Sequence, residues 1–315
     1  MSDVASEVNA ARSGVAATDR SARGKLLVQG NDRLAFLHNM LSNSITTLAP
    51  GKGCRAELLD ERGHIVGDLR VYVTENDVRI DLEPGLAETV RATLEKYVIM
   101  DDVTLLDVTA DSAHFTLTGP GLPALLASLG GELPAALWDH RAGVLGGVGT
   151  VHARTHWATM SDADVFVPMA DRETMRAALA KAGATFIGED AFEVLRIEAG
   201  VARQGADLDD VVALEARLDK EGAVSFTKGC YMGQEVMARI DSRGHVNRLL
   251  CRLTIDGPVP ARGATVKAGD KEIGRITSAA HSPTLGKTVA LGYLRREHSE
   301  PGALVTVSGS PATVA

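Results

Sequence analysis

The sequence predicts an α+β protein. Apolar strands and amphipathic helices alternate as far as residue 200, no Gly-x-Gly-x-x-Gly follows the first strand, and short β-rich runs take over after Leu249. The missing glycine fingerprint disfavours a doubly wound dinucleotide fold. The late runs, cut by Gly257-Pro258, Gly263, Gly269, Gly286 and Pro301-Gly302, predict a small closed barrel or sandwich.

The elements follow in order. Residues 1–17 are small and polar and read as a frayed tail or one weak helical turn, so the chain divides at 1–17, 18–245 and 246–315. Residues 24–30 predict a strand, and Asn31 or Asp32 caps a helix with Leu34, Leu37 and Leu41 on one face. Residues 54–59 and 64–73, joined by Asp60-Glu61-Arg62-Gly63, carry a hairpin signal. A strand at 78–82 precedes a helix with Leu86, Val90 and Leu94 at i, i+4 and i+8. A strand pair at 103–108 and 114–118, a helix at 122–129, a Gly-rich linker at 143–149 and a strand at 164–168 continue the alternation. Asp171 caps a helix stopped by Gly183, and Asp190 with Glu193 approximates a capping box opening a helix to Gly200.

Composition excludes several classes of function. A net charge of −8 opposes a broad nucleic-acid surface. No apolar run approaches the roughly 20 residues that span a bilayer, and the N-terminus lacks a basic region followed by a hydrophobic block. Cys54, Cys230 and Cys251 are odd in number and widely spaced, making neither a disulfide framework nor a Cys-x-x-Cys clip. A reducing, cytoplasmic setting and a monomer without stably bound metal are expected. His152 and His156, spaced i and i+4 where strand alternation prevails, read as structural or exposed.

The most informative run is Lys228-Gly229-Cys230-Tyr231-Met232-Gly233-Gln234-Glu235. It packs a thiol, a cation, two permissive glycines and two hydrogen-bonding side chains into eight positions. Lys228 lies two residues from Cys230, and a nearby ammonium raises a thiol's thiolate fraction. A buried cysteine acting as a small hydrophobe is the alternative. Lys228, Arg239, Arg243 and Arg248 flank the run against Glu235 and Asp241, which fits either a basic mouth for an anionic ligand or a balanced solvated face. Glu198, on an otherwise apolar helix, needs a partner: Arg196 or a ligand amide would serve.

The octapeptide resembles the defining motif of the YgfZ family, the folate-binding, iron–sulfur-assembly branch of the superfamily that includes the glycine-cleavage T-protein. The stretch from Asp19 to His38, then Leu195-Arg196-Ile197-Glu198-Ala199-Gly200, Gly205-Ala206-Asp207-Leu208-Asp209 and Gly274-Arg275-Ile276-Thr277-Ser278, fall in the order of that superfamily. The resemblance covers the chain from about residue 18 onward. It implies three lobes around a central opening, the first two interleaved in sequence and the third a β-barrel. It also implies tetrahydrofolate or a derivative as ligand, and iron–sulfur enzymes or assembly factors, including tRNA-modifying enzymes, as partners. Cys230 is then the working thiol, with Lys228 and Asp68 beside it. Glu198, Arg196, Tyr231, Gly233, Gln234, Glu235, Arg239 and Arg243 would contact folate, the two last drawing its glutamyl tail.

Two T-protein patterns depart here. The stretch Arg-Thr-Gly-Tyr-Thr-Gly-Glu-Asp-Gly-aromatic-Glu aligns on Arg154 to Asp164 and sets Met160 where that enzyme grips the pterin. Gly-Gly-x-x-Asp-Asp aligns on Gly63 to Asp68 and leaves Gly67 for the first aspartate. Both argue against a working aminomethyltransferase. A tetrahydrofolate-dependent one-carbon transferase remains the alternative, and a non-catalytic scaffold would need neither folate nor thiol.

Overall fold

The computed structural model describes residues 3–158 and 161–315. In chain order the elements are α1 (Val4–Ser13), β1 (Ala16–Asp19), β2 (Gly24–Gln29), α2 (Arg33–Met40), β3 (Lys52–Leu59), β4 (Ile65–Val73), β5 (Val78–Leu82), α3 (Ala87–Glu95), β6 (Thr104–Asp107), β7 (Ser112–Thr118) and α4 (Leu122–Ser128). Next come β8 (His140–Leu145), β9 (Val148–Thr155), β10 (Asp162–Pro168), α5 (Arg172–Lys181), β11 (Thr185–Phe186), α6 (Glu189–Ala199) and α7 (Gln234–Arg243). The last strands are β12 (Arg248–Ile255), β13 (Thr265–Ala268), β14 (Lys271–Ser282), β15 (Lys287–Arg295), β16 (Leu304–Val307) and β17 (Ser310–Val314).

The strands form a five-stranded sheet in the order β3-β4-β5-β2-β6, a six-stranded sheet in the order β11-β1-β7-β10-β9-β8, and a closed barrel β12-β15-β14-β13-β16-β17. The chain starts the larger sheet with β1, leaves to build the whole smaller sheet, and returns at β7, so the first two lobes are interleaved. Each sheet covers one face with helices. Leu37, Val90 and Leu94 pack on the smaller sheet, and Leu122, Leu126, Met175 and Leu179 on the larger. The barrel has its own core around Leu253, Ile276 and Leu294.

Several local expectations give way to tertiary context. The N-terminal segment is not a tail: α1 buries Val8 and Ala11, and the Gly188 amide at the start of α6 donates to Glu7 Oε2 at 2.8 Å. A carboxylate at a helix N-terminus is favoured by the dipole there, and this contact is invisible in a segment that is polar in isolation. Residues 103–108 and 114–118 do not pair with each other, because β6 joins β2 while β7 joins β1 and β10. The glycines of 143–149 close the β8–β9 hairpin instead of linking domains. No capping box opens α6: its N-cap is Gly188, and Glu193 reaches forward to Arg196 and Arg203. Asp171 and Asp32 sit at N-caps without side-chain capping bonds, and Asp32 accepts instead from the Asp102 amide at 2.8 Å.

The inner faces of the two sheets meet across a charged layer. Cross-strand register sets Arg55 opposite Arg70, Glu57 opposite Asp68, and Asp81 opposite both Arg70 and Lys25. Thr116 and Thr118 face Asp164 and Asp162 from the other side. Trp157 fills the middle, with the guanidinium carbons of Arg20, Arg23 and Arg70 at 4.4, 4.9 and 4.5 Å from its ring. Cation–π contacts gain strength when desolvated, and Trp157 is fully buried.

Candidate functional site

The charged layer reaches solvent at a central mouth of about 280 Å³ lined by Arg55 of β3, Arg70 of β4, Leu137, Trp138, His156, the Ala199–Val201 end of α6 and Glu221. Asp68 stands behind it, wholly buried. Arg55 donates to its two oxygens at 2.7 and 3.0 Å, and Arg70 adds a bond at 2.8 Å. Burial opposes ionisation of Asp68, yet the two guanidinium groups outweigh it and hold the carboxyl well below the usual range. Glu57, directly across the strand, has the opposite balance. The Arg55 Nε is 3.7 Å from its carboxyl, and burial and the Asp68 charge push its pKa up.

Two features mark the mouth as built for a ligand. Arg70 Nε is buried and has no hydrogen-bond partner among the described residues, and Arg55 extends its remaining arm to Glu221, a carboxylate at the surface. Trp138 holds a left-handed backbone at φ 66°. For a bulky residue that conformation persists only where surroundings over-determine it, most often at functional sites. Sequence reasoning missed Arg55, Arg70, Trp138 and Glu221. The signal was the charged residue at every second position in Cys54-Arg55-Ala56-Glu57-Leu58 and Gly67-Asp68-Leu69-Arg70-Val71, which gives strands otherwise apolar enough for burial a polar inner face.

The octapeptide occupies a separate turn against the tip of the β3–β4 hairpin. Gly233 adopts φ +79°, and a Cβ there would lie 2.5 Å from the Asp60 carbonyl oxygen, so no other residue fits. Tyr231 packs in a cluster with Leu59, Ile65 and Met237. Lys228 does not turn toward the thiol. Its ammonium donates to the carbonyls of His38, Leu41 and Asn43 at the end of α2 and lies 4.9 Å from the Tyr231 ring centroid. Burial pushes its pKa down to about 8. The lysine thus clamps the turn, because carbonyls at a helix C-terminus are the acceptors a buried ammonium needs. Cys230 is exposed, whereas Cys54 and Cys251 are buried, the Cys54 thiol being pushed up to about 12 by burial. Gln234 and Glu235 begin α7.

The remaining candidates are not gathered at one point. Glu198 pairs with Arg12 of α1 and accepts from Ser282 of β14, and Arg196 binds Glu193, Asp207 and Ser278, so the two do not pair with each other. Both tie α6 to neighbouring elements. Arg239 pairs with Glu235 at 3.1 Å and Arg248 with Glu215 at 2.9 Å. The Arg243 side chain and Met160 lie outside the described residues. Gly67 faces the smaller sheet's helical side, where a Cβ would meet Val90 at 2.8 Å. The aspartate absent at that position would point into the apolar core, so its loss leaves the mouth unchanged.

Comparison with known proteins follows this geometry. The family profile of the GCVT N-terminal domain matches residues 1–228, and that of the glycine cleavage T-protein C-terminal barrel domain matches residues 248–314. An aminomethyltransferase of Thermosynechococcus vestitus is 30% identical over 312 residues, covering 97% of this chain and 84% of that protein. One from Geobacillus kaustophilus is 30% identical, covering 97% and 86%. The crystal structure of the glycine cleavage system aminomethyltransferase T from Bartonella henselae superposes with a TM-score of 0.89 at 22% identity, over 99% of this chain and 88% of that one. With interleaved sheets, a closed barrel and matching profiles along almost its whole length, this chain belongs to the glycine-cleavage T-protein family.

Proposed function

We propose that this protein binds a reduced folate at the central mouth and supports iron–sulfur enzymes, among them enzymes that modify tRNA, through the Cys230 thiol, as a member of the YgfZ branch. The observation that carries the reading is the octapeptide turn, in which Gly233, Tyr231 and Lys228 are all used to anchor a loop whose remaining reactive group, Cys230, faces solvent. An exposed thiol held by so specific a frame suits contact with a second protein. Among the described residues no three His, Cys, Asp or Glu side chains gather to hold a metal, so a cluster engaged by Cys230 would be completed by ligands of the client.

The mouth fits the bicyclic end of a folate. Arg70 Nε supplies an unsatisfied donor, Trp138 a ring face, and the volume lies at the lower end for small-molecule pockets, which leaves the glutamyl tail outside. Tetrahydrofolate is therefore expected to raise the melting temperature, since any ligand of the native state does so by mass action. Trp138→Gly removes the ring and suits the left-handed backbone. It should weaken the affinity, measured by calorimetry, about 2- to 10-fold. No heat and no stabilisation at millimolar tetrahydrofolate would favour the scaffold.

The aminomethyltransferase reading is favoured by the relatives that carry that name and by Asp68, which survives on the side of the mouth. Its clamp by Arg55 and Arg70 keeps it ionised and makes it a weak proton acceptor. Protein mixed with tetrahydrofolate and aminomethylated lipoyl carrier is expected to release no ammonia above background. Release at a rate comparable to a T-protein's would establish the transferase instead.

A further inference from the structure

At the end of the charged layer away from the mouth, the two sheets enclose a cleft of about 170 Å³ walled by Lys25 and Leu27 of β2, Tyr72 of β4, Arg79 of β5, Val151 of β9 and Phe166 of β10. Register explains why these side chains converge. Arg79 lies opposite both Leu27 and Tyr72 across neighbouring strands, and Val151 lies opposite Phe166. Leu27, Val151 and the Tyr72 and Phe166 rings make most of the wall apolar, the two rings meeting edge to face at 6.0 Å. The size is that of a cavity able to take one benzene ring.

The polar groups around the cleft are unusual in being incompletely used. The Tyr72 residue is 1% exposed and its hydroxyl has no hydrogen-bond partner among the described residues, and a buried hydroxyl left so calls for an explanation. The Lys25 ammonium, on a residue 4% exposed, spends two of its three protons on the Ser21 and Arg23 carbonyls at 2.8 Å each. Burial pushes its pKa down to about 8, against the opposing charges of Asp81, Asp107 and Asp19. Arg79, 46% exposed, reaches only Asp77, at 3.6 Å. Asp81 also borders the cleft, but Arg23 binds both its oxygens at 2.7 to 3.1 Å. Lys25 and Arg79 are the cationic side chains of the wall.

We propose that this cleft is a second ligand site, distinct from the central mouth, for a compact monocarboxylate with an apolar body the size of one six-membered ring. The ring lies against Phe166 and Tyr72, and the carboxylate is held by Lys25 and Arg79, whose Cα positions are diagonal neighbours across β2 and β5. A concave apolar site with a few convergent polar groups is the usual form of a small-molecule pocket.

Benzoate is the probe, titrated into the full chain by calorimetry and nuclear magnetic resonance, with benzyl alcohol as its neutral counterpart. Benzoate should bind about tenfold more tightly or better, because a charge-assisted contact replaces a neutral one. Arg79→Gln, at a position exposed enough to spare the fold, should remove that advantage while leaving benzyl alcohol and tetrahydrofolate binding unchanged. Leu27→Trp, checked for native circular dichroism, should fill the cleft and abolish both small ligands. Absence of benzoate binding at tens of millimolar, equal affinity for benzyl alcohol, or benzoate binding unaltered in Arg79→Gln would each overturn the assignment. A loss of tetrahydrofolate binding together with benzoate in Arg79→Gln would refute its separateness from the mouth.

Discussion

Asp68→Ala is expected to destabilise the protein by about 3–5 kcal/mol, the usual result of removing one partner from a buried ion pair. Arg55 and Arg70 are 3% and 1% exposed, Asp68 binds both, and without it they would face each other across β3 and β4. The loss belongs to the uncompensated cations rather than to the carboxylate's bonds. Chemical denaturation at neutral pH measures it. A cost below about 1 kcal/mol would mean that water enters the layer and that the mouth is wetter than its packing indicates.

The same clamp gives a pH signature. Asp68, Asp81 and Glu83 have folded pKa values below their unfolded ones, held there by arginines against the opposing effect of burial. The folded state therefore binds fewer protons than the unfolded chain. The stability these groups contribute is fully present above their unfolded values near 4 and is lost as pH falls below that. Asp162 works in the other direction. Burial raises it to about 6, so its contribution is present below pH 4 and fades as pH rises through 6. The denaturation midpoint should fall steeply between pH 4 and 2, and less steeply in Asp68→Ala. Parallel profiles for the two proteins would show that Asp68 titrates normally.

Cys230→Ala is expected to leave the fold and its stability unchanged while abolishing support of iron–sulfur enzymes in cells that lack the native protein. The side chain is exposed and makes none of the contacts that anchor the turn, which are those of Lys228, Tyr231 and Gly233. Surface substitutions away from such features stay within about 0.5 kcal/mol. Lys228→Ala should do the reverse, loosening the turn and lowering the melting temperature, because three carbonyls at the end of α2 lose their donor. Full rescue by the alanine variant of Cys230 would end the thiol reading.

These two side chains show how far sequence reasoning reaches. The octapeptide singles out the turn and its cysteine as a unit, but adjacency in sequence suggested that Lys228 activates Cys230. A flexible four-carbon stem can point either way, and here the carbonyls of α2, nearly two hundred residues earlier in the chain, outcompete the thiol for the ammonium. Gly67 carries a similar lesson. Alignment marks the position as a lost carboxylate, yet the strand's period of two turns it toward Val90 and Leu69, while Asp68 alone faces the charged layer.

By itself, the sequence determined the α+β class, the terminal barrel, the β3–β4 hairpin and the helix bearing Val90 and Leu94. Each rests on local periodicity, turn chemistry or a short motif, which act over a few residues and survive in any context. Only the tertiary structure decided that α1 docks on α6 through Glu7 and Arg12, that β6 and β7 belong to different sheets, and that Arg20, Arg23, Arg70 and Asp164 meet around Trp157. Those outcomes depend on pairing between segments far apart in the chain. A buried charge is tolerated only where the fold brings its counter-charge, and no local pattern records which distant strand will supply it.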